Sequence, residues 1–161
     1  MMGASGVAAQ STEQKPDVLT PLPQSQPTSG ATDAATVYFQ QGMSLMQQGD
    51  YSAAIAKFNR AIEANADFGQ AYLSRAQALY RVADYQAALS DFDLAILLRS
   101  DPISAYFGRG NTRRNLGDMD GAIADFSEVI RLSPETAVGA YYNRGLLLAA
   151  RGGCRGGDRR L

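Results

Sequence analysis

The chain has no histidine and one cysteine, Cys154, among its 161 residues. Without imidazoles there can be no histidine-dependent catalytic triad, and a lone cysteine supports neither an internal disulfide nor a Cys/His zinc site. Lysine is nearly absent as well: only Lys15 and Lys57 occur, so a general base would have to be a carboxylate or one of two amines. Neither a G-x-x-x-x-G-K-[ST] loop nor a dinucleotide fingerprint is present. No stretch of 18 or more apolar residues occurs, which excludes a helical membrane span. The net charge of −1 provides no general attraction to nucleic acid or to an anionic surface. These absences argue against an enzyme and imply neither cofactor nor metal.

What is present is unevenly distributed. All aromatic residues lie between Tyr38 and Tyr142, while Pro16, Pro21, Pro23 and Pro27 crowd the aromatic-free start among Gln, Ser and Thr. Residues 1–33 therefore read as a disordered Pro/Gln/Ser-rich leader with too little apolar surface to offset the entropy of ordering it. The small residues Val7-Ala8-Ala9 fit the end of a cleaved export signal whose start lies upstream; a ragged N-terminus fits equally well. As written the chain reads as soluble and cytoplasmic, or as periplasmic or secreted if the start lies upstream. At the other end, residues 152–161 form a Gly/Arg-rich tail, expected to be disordered. The middle, 34–151, is where a core can form.

Offset by 34 positions, that middle matches itself. Tyr38, Tyr72 and Tyr106 align, as do Gly42, Ala76 and Gly110; then Asp50, Asp84 and Asp118; Ala54, Ala88 and Ala122; Phe58, Phe92 and Phe126; and Ile62, Ile96 and Ile130. The units are 35–68, 69–102 and 103–136, followed by a partial fourth, 137–151, in which Tyr141 and Gly145 recover the pattern after one extra residue. Apolar residues recur at helical spacing in two stretches per unit. Between them stand Gly49-Asp50, Ala83-Asp84 and Gly117-Asp118, where a left-handed residue closes one helix and an aspartate caps the next. Asp101-Pro102 and Ser133-Pro134 have the form of a cap followed by a first-turn proline. Each unit is thus a helix–turn–helix hairpin. The small residues let its helices approach, and the Tyr and Phe positions supply most of the buried area. A single hairpin cannot cover both its faces, so the hairpins must stack into a solenoid.

These residues resemble the tetratricopeptide repeat pattern W-x2-L-G-x2-Y…A-x3-F…P. Unit one reads Tyr38-x2-Gln41-Gly42-x2-Leu45…Ala54-x3-Phe58, and unit three Tyr106-x2-Arg109-Gly110…Ala122-x3-Phe126…Pro134. The resemblance spans residues 35 to about 151 and implies an all-α, right-handed α-solenoid. Tyrosine replaces the family's Trp, Gln or Arg replaces its Leu, and the closing Pro stays in register once. The Leu-to-Arg departure has a counterpart sixteen residues on: Arg75 with Asp91 and Arg109 with Asp125, but Gln41 with Lys57. Concerted change of both partners predicts an ion pair within each hairpin rather than with the preceding one, which would set Arg75 against Lys57. A solvent-exposed pair of that kind contributes ~0–1 kcal/mol.

In this family the first helices line a concave groove that binds peptides. The corresponding positions here are Phe39, Met43 and Met46; Leu73, Gln77 and Tyr80; and Phe107, Asn111 and Arg114. Phe39, Leu73 and Phe107 either meet the partner or pack between first helices. The Lys, Asn and Arg of the family's carboxylate clamp, which grips chaperone C-terminal tails, are missing apart from Asn111. The expected function is a non-catalytic protein-interaction module or scaffold that holds a peptide segment or partner helix. RNA binding through the Arg/Gly tail is the competing reading, disfavoured by the acidic solenoid and the 34-residue period. The fourth unit supplies one helix, 138–151, and stops. Its leucines would then promote self-association or partner docking, or the chain is a truncated or frameshifted fragment of a longer repeat protein, which the abrupt loss of pattern favours.

Overall fold

The computed structural model describes residues 29–156, and within them seven helices and no strand. They are α1 (Ser29–Gln47), α2 (Tyr51–Ala64), α3 (Gly69–Arg81), α4 (Tyr85–Leu97), α5 (Pro102–Asn115), α6 (Met119–Leu132) and α7 (Val138–Gly156). Each helix packs against the next in the chain, and α3 also touches α1 and α5. Three hairpins, α1–α2, α3–α4 and α5–α6, are thereby stacked with their first helices side by side, and α7 continues the row. No helix of the described residues is long and apolar enough to cross a membrane.

The three hairpin turns share one hydrogen-bond pattern. The amides of Asp50, Asp84 and Asp118 donate to the carbonyls of Leu45, Leu79 and Arg113, and those of Gly49, Ala83 and Gly117 donate to Met46, Tyr80 and Arg114. This pairing ends a helix through one left-handed residue. Gly49 and Gly117 take it at φ 81° and 84°, and Ala83 is forced to φ 63°. Asp50, Asp84 and Asp118 then turn their carboxylates onto the amides of Ala53, Ala87 and Gly121, capping α2, α4 and α6. Asp101 caps α5 in the same way ahead of Pro102. The expected cap at Ser133-Pro134 does not form. Ser133 instead closes α6, a turn follows, and α7 starts at Val138, four residues past Pro134, whereas Pro102 is itself the first residue of α5.

Helix boundaries at the ends also differ from expectation. α1 starts at Ser29, inside the stretch read as leader, where Ala31, Ala34 and Ala35 favour helix and Ala35 is fully buried. α7 runs through the glycines to Gly156, since extending an existing helix needs no new nucleus. The rest of the leader, 1–28, and of the tail, 157–161, lies outside the described residues.

The core is three clusters in sequence. Phe58, Phe92 and Phe126 are fully buried, each beside its hairpin's buried alanine, Ala54, Ala88 or Ala122. Space for the rings comes from missing methyl groups. A Cβ at Gly42 would sit 2.5 Å from Phe58, and one at Gly110 would sit 3.0 Å from Phe126. Unit two carries Ala76 instead, and there the room is found in the next hairpin: a Cβ at Gly108 would lie 2.4 Å from Phe92. Tyr38, Tyr72 and Tyr106 are only half-buried, their rings covered by the Lys57, Arg75 and Arg109 cations.

Glycine at position 83 would take the left-handed conformation without the strain that Ala83 bears. Ala83→Gly should raise stability by about 0.5–1 kcal/mol in urea unfolding; a loss of stability would contradict the strained turn. Gly108→Ala should lower it by about 1–3 kcal/mol by crowding Phe92.

Candidate functional site

One arginine on each of α3, α5 and α7 organises the packing beside the groove. Arg75 on α3 pairs in two-pronged fashion with Asp91 on α4, at 2.6 and 2.7 Å, and donates to Asn59 on α2 at 2.7 Å. Arg109 on α5 repeats this with Asp125 on α6 and with Asp93 on α4, both at 2.6 Å. Arg144 on α7 reaches back to Ser127 on α6 at 3.4 Å. The ion pair expected within each hairpin is therefore present. Two points differ from the sequence reading. Each guanidinium also bonds the preceding hairpin, at a site sixteen residues back rather than at the Lys57 position. Nor are the pairs exposed: Asp91 and Asp125 are 4% and 2% accessible, because they sit between helices lined with alanine.

Asp125 also accepts from Arg113 at 2.9 Å. The hydrogen bond to Asp91 holds the Arg75 pKa above its usual value, against burial. At Arg109 burial acts to lower the pKa, and the bonds to Asp125 and Asp93 together outweigh it and raise it. A cation with a raised folded pKa contributes fully below its unfolded value and loses that contribution as pH rises through the folded one. Both arginines thus stay charged at every pH below about 12.

The groove beside this ladder opens into a cleft of about 270 Å3 between α1, α3 and α5. Of the nine groove positions, five line it: Met46, Gln77, Tyr80, Phe107 and Asn111. Phe92, Gly108, Ser104 and Arg81 complete the wall. Gly108 brings the Phe92 ring to the cleft, and comparison with Ser74 at the equivalent place in unit two is the signal that could have found it. Arg81 is the one charged group in the lining and packs 5.8 Å from the Tyr51 ring centre. The Tyr80 hydroxyl accepts from Asn115 at 3.0 Å, and the Asn111 amide donates to the Phe107 carbonyl at 3.1 Å. These bonds fix two of the polar groups before any ligand arrives.

The other four positions lie elsewhere. Leu73 is 2% exposed and belongs to the core. Phe39 packs on Phe58 and Phe68, with ring centres 5.8 and 5.0 Å away, and Met43 packs on the same cluster. Arg114 is tied to Asn143 of α7 at 3.1 Å. Phe107 serves in two ways: it meets Phe126 edge to face at 5.7 Å and separates the cleft from a second one, of about 290 Å3, between α5 and α7. Among the described residues no group of three or more His, Cys, Asp or Glu could hold a metal ion.

Asp125→Asn should cost about 2–3 kcal/mol, since it breaks charged bonds to two guanidiniums that keep some access to water. Asp93→Asn, at the exposed rung, should cost under about 1 kcal/mol in the same urea titration. Equal costs would contradict the burial difference.

Comparison with known proteins completes the picture. Two family models described as tetratricopeptide repeat match residues 39–106 and 103–136. Among solved structures, the first TPR of Spaghetti (RPAP3) bound to the HSP90 peptide SRMEEVD is similar, with 26% identity and a TM-score of 0.72, over 75% of this chain and 95% of that one. The Arabidopsis OM64 TPR domain matches at 26% identity and a TM-score of 0.72, over 75% and 99%. The second TPR domain of human RPAP3 in complex with the HSP70 peptide SGPTIEEVD matches at 26% and 0.66, over 73% and 95%. No curated protein matches. Repeat pattern, hairpin stack, family models and similar structures agree, and the chain belongs to the tetratricopeptide repeat family.

Proposed function

We propose that the chain is a protein-interaction module that holds a short amphipathic peptide segment in the cleft between α1, α3 and α5, without catalysing a reaction. The observation that carries this reading is the composition of the cleft wall. Met46 and Phe107 offer an apolar floor backed by the buried ring of Phe92; Gln77, Ser104 and Asn111 offer uncharged hydrogen-bonding groups; Arg81 offers one cation. A space of this size takes one or two side chains rather than a whole small molecule. The ligand that fits is an extended or helical segment with an aliphatic or aromatic anchor and a single acidic group near it. No carboxylate and no imidazole lines the cleft, so it holds no general base to activate the Tyr80 or Ser104 hydroxyls. Similar domains that bind chaperone peptides support the peptide-binding reading in general.

Their particular ligands fit this cleft poorly. Both peptides end in EEVD, which presents several negative charges, whereas the nine groove positions carry one cation, Arg114, which lies outside the cleft and is tied to Asn143. The solenoid from Val37 to Thr136 is itself net acidic, with 12 carboxylates against 9 basic residues. Such a surface disfavours acidic tails and nucleic acid alike.

The test is selection of binders from a displayed peptide library, followed by titration. Selected peptides should share an apolar anchor, and Gln77→Arg with Arg81→Gln should weaken them at least tenfold while the thermal melt stays cooperative. Affinities unmoved by that double variant would place binding elsewhere. The peptide SRMEEVD should show no saturable binding below about 1 mM.

A further inference from the structure

Phe107 stands between two clefts of similar size and different character. On one side lies the cleft between α1, α3 and α5, with Arg81 in its wall. On the other lies the cleft of about 290 Å3 between α5 and α7, walled by Ile103, Val129, Ala137 and Ala140. Ser133 and Thr136 also line it, but their hydroxyls are bonded to each other at 2.5 Å. What this second space offers a ligand is therefore mainly apolar surface. Ser104 and Phe107 line both clefts, so the two adjoin along one groove. The divider is held in place: its ring meets Phe126 edge to face, and a Cβ at Gly139 would lie 3.3 Å from it.

Charge differs between the two ends. No charged residue lines the second cleft, but Glu135 is exposed in the turn between α6 and α7, flanked by Ser133 and Thr136. Arg81 is exposed as well, and among the described residues neither Arg81 nor Glu135 forms an ion pair. The paired clefts thus carry an uncompensated cation at one end and an uncompensated carboxylate at the other. Because they lie on opposite sides of α5, their centres are about one helix spacing apart, roughly 8–10 Å. A polyproline-type chain rises about 3.1 Å per residue and returns to the same face every third residue, which covers that span. An α-helix would need about seven residues, and the side chains of its intervening turn would fall on Phe107.

The geometry points to the two clefts as tandem subsites for one extended segment of a partner protein. That segment carries two apolar residues three positions apart, an acidic residue beside the first and a basic residue beside the second. The second subsite rests on the reading of the first, and it adds the anchor spacing and the polarity of the ligand. The first anchor enters beside Gln77, with its acidic neighbour at Arg81. The second enters the cleft between α5 and α7, with its basic neighbour at Glu135. The two residues between them pass over Phe107 without turning a side chain toward it. A segment acidic at both ends is repelled at Glu135, which gives the groove a charge filter.

The probes are two end-blocked fluorescent peptides, Asp-Leu-Pro-Pro-Leu-Lys and Asp-Leu-Pro-Pro-Ser-Lys, each made also in reversed order. They are titrated against the full chain by fluorescence anisotropy. In one of the two orders the two-leucine probe should bind saturably and at least tenfold tighter than the one-leucine probe, through burial of the second side chain. Gly139→Leu, which fills the second cleft from an exposed position, should erase that difference, and so should Thr136→Arg, also exposed. Glu in place of the probe's Lys should weaken binding about threefold, and Glu135→Lys should restore it. Equal affinities of the two probes, or a difference that survives both variants, overturns the proposal. So does failure of both probes to bind. In each case the cleft reading stands if library-selected peptides still respond to Gln77→Arg with Arg81→Gln, and falls with the proposal if they do not.

Discussion

A guanidinium buried between three helices must find a carboxylate there, and the stacking of this solenoid follows from that requirement. Arg75 and Arg109 each sit where their own hairpin's second helix meets the second helix of the hairpin before. A charge in that position is costly unless it is paired and its hydrogen bonds are satisfied. The 34-residue repeat satisfies it through fixed offsets, sixteen residues forward to Asp91 or Asp125 and sixteen back to Asn59 or Asp93. A hairpin that slipped by one residue would lose both bonds at once. The alanines around the pair are part of the same constraint, since only small side chains let the helices come close enough for the forked contact. Because both arginines keep their charge throughout the ordinary pH range, the ladder is a permanent fastening and not a switch.

The cleft arises from a local departure in the second constraint, the seating of one phenyl ring per hairpin. In units one and three the ring rests over a glycine of its own first helix. In unit two that glycine is Ala76, and the ring of Phe92 leans on Gly108 of the following hairpin instead. The displacement brings an aromatic floor to the middle of the row of first helices, where Met46, Gln77 and Phe107 surround it. An irregularity in packing thus becomes a feature of the surface.

Much of this was legible in the residues. The period placed every hairpin, the capping aspartates marked the starts of α2, α4, α5 and α6, and the covariation of Arg75 with Asp91 and of Arg109 with Asp125 disclosed the pairing. What escaped did so because spacing along one helix says nothing about neighbours on another. Spacing along the first helices places Leu73 and Phe39 in one row with Gln77 and Tyr80 and leaves open whether they meet a partner or pack inward; the way hairpins lean together turns these two toward the core. Arg81 and Gly108 were missed because neither occupies a counted place. The ends were misjudged for a different reason: helix propagation from a packed segment carried α1 back to Ser29 and α7 on through Gly152.

The central claim is that the ion pairs Arg75–Asp91 and Arg109–Asp125, each with its bond to the hairpin before, hold the stack in register. A double-mutant cycle on Arg109→Ala and Asp125→Ala, followed by urea unfolding, tests it most directly. The account predicts a coupling of about 1.5–3 kcal/mol, as expected for forked charged hydrogen bonds to a buried carboxylate. A coupling near zero, the value of an ordinary surface pair, would contradict it.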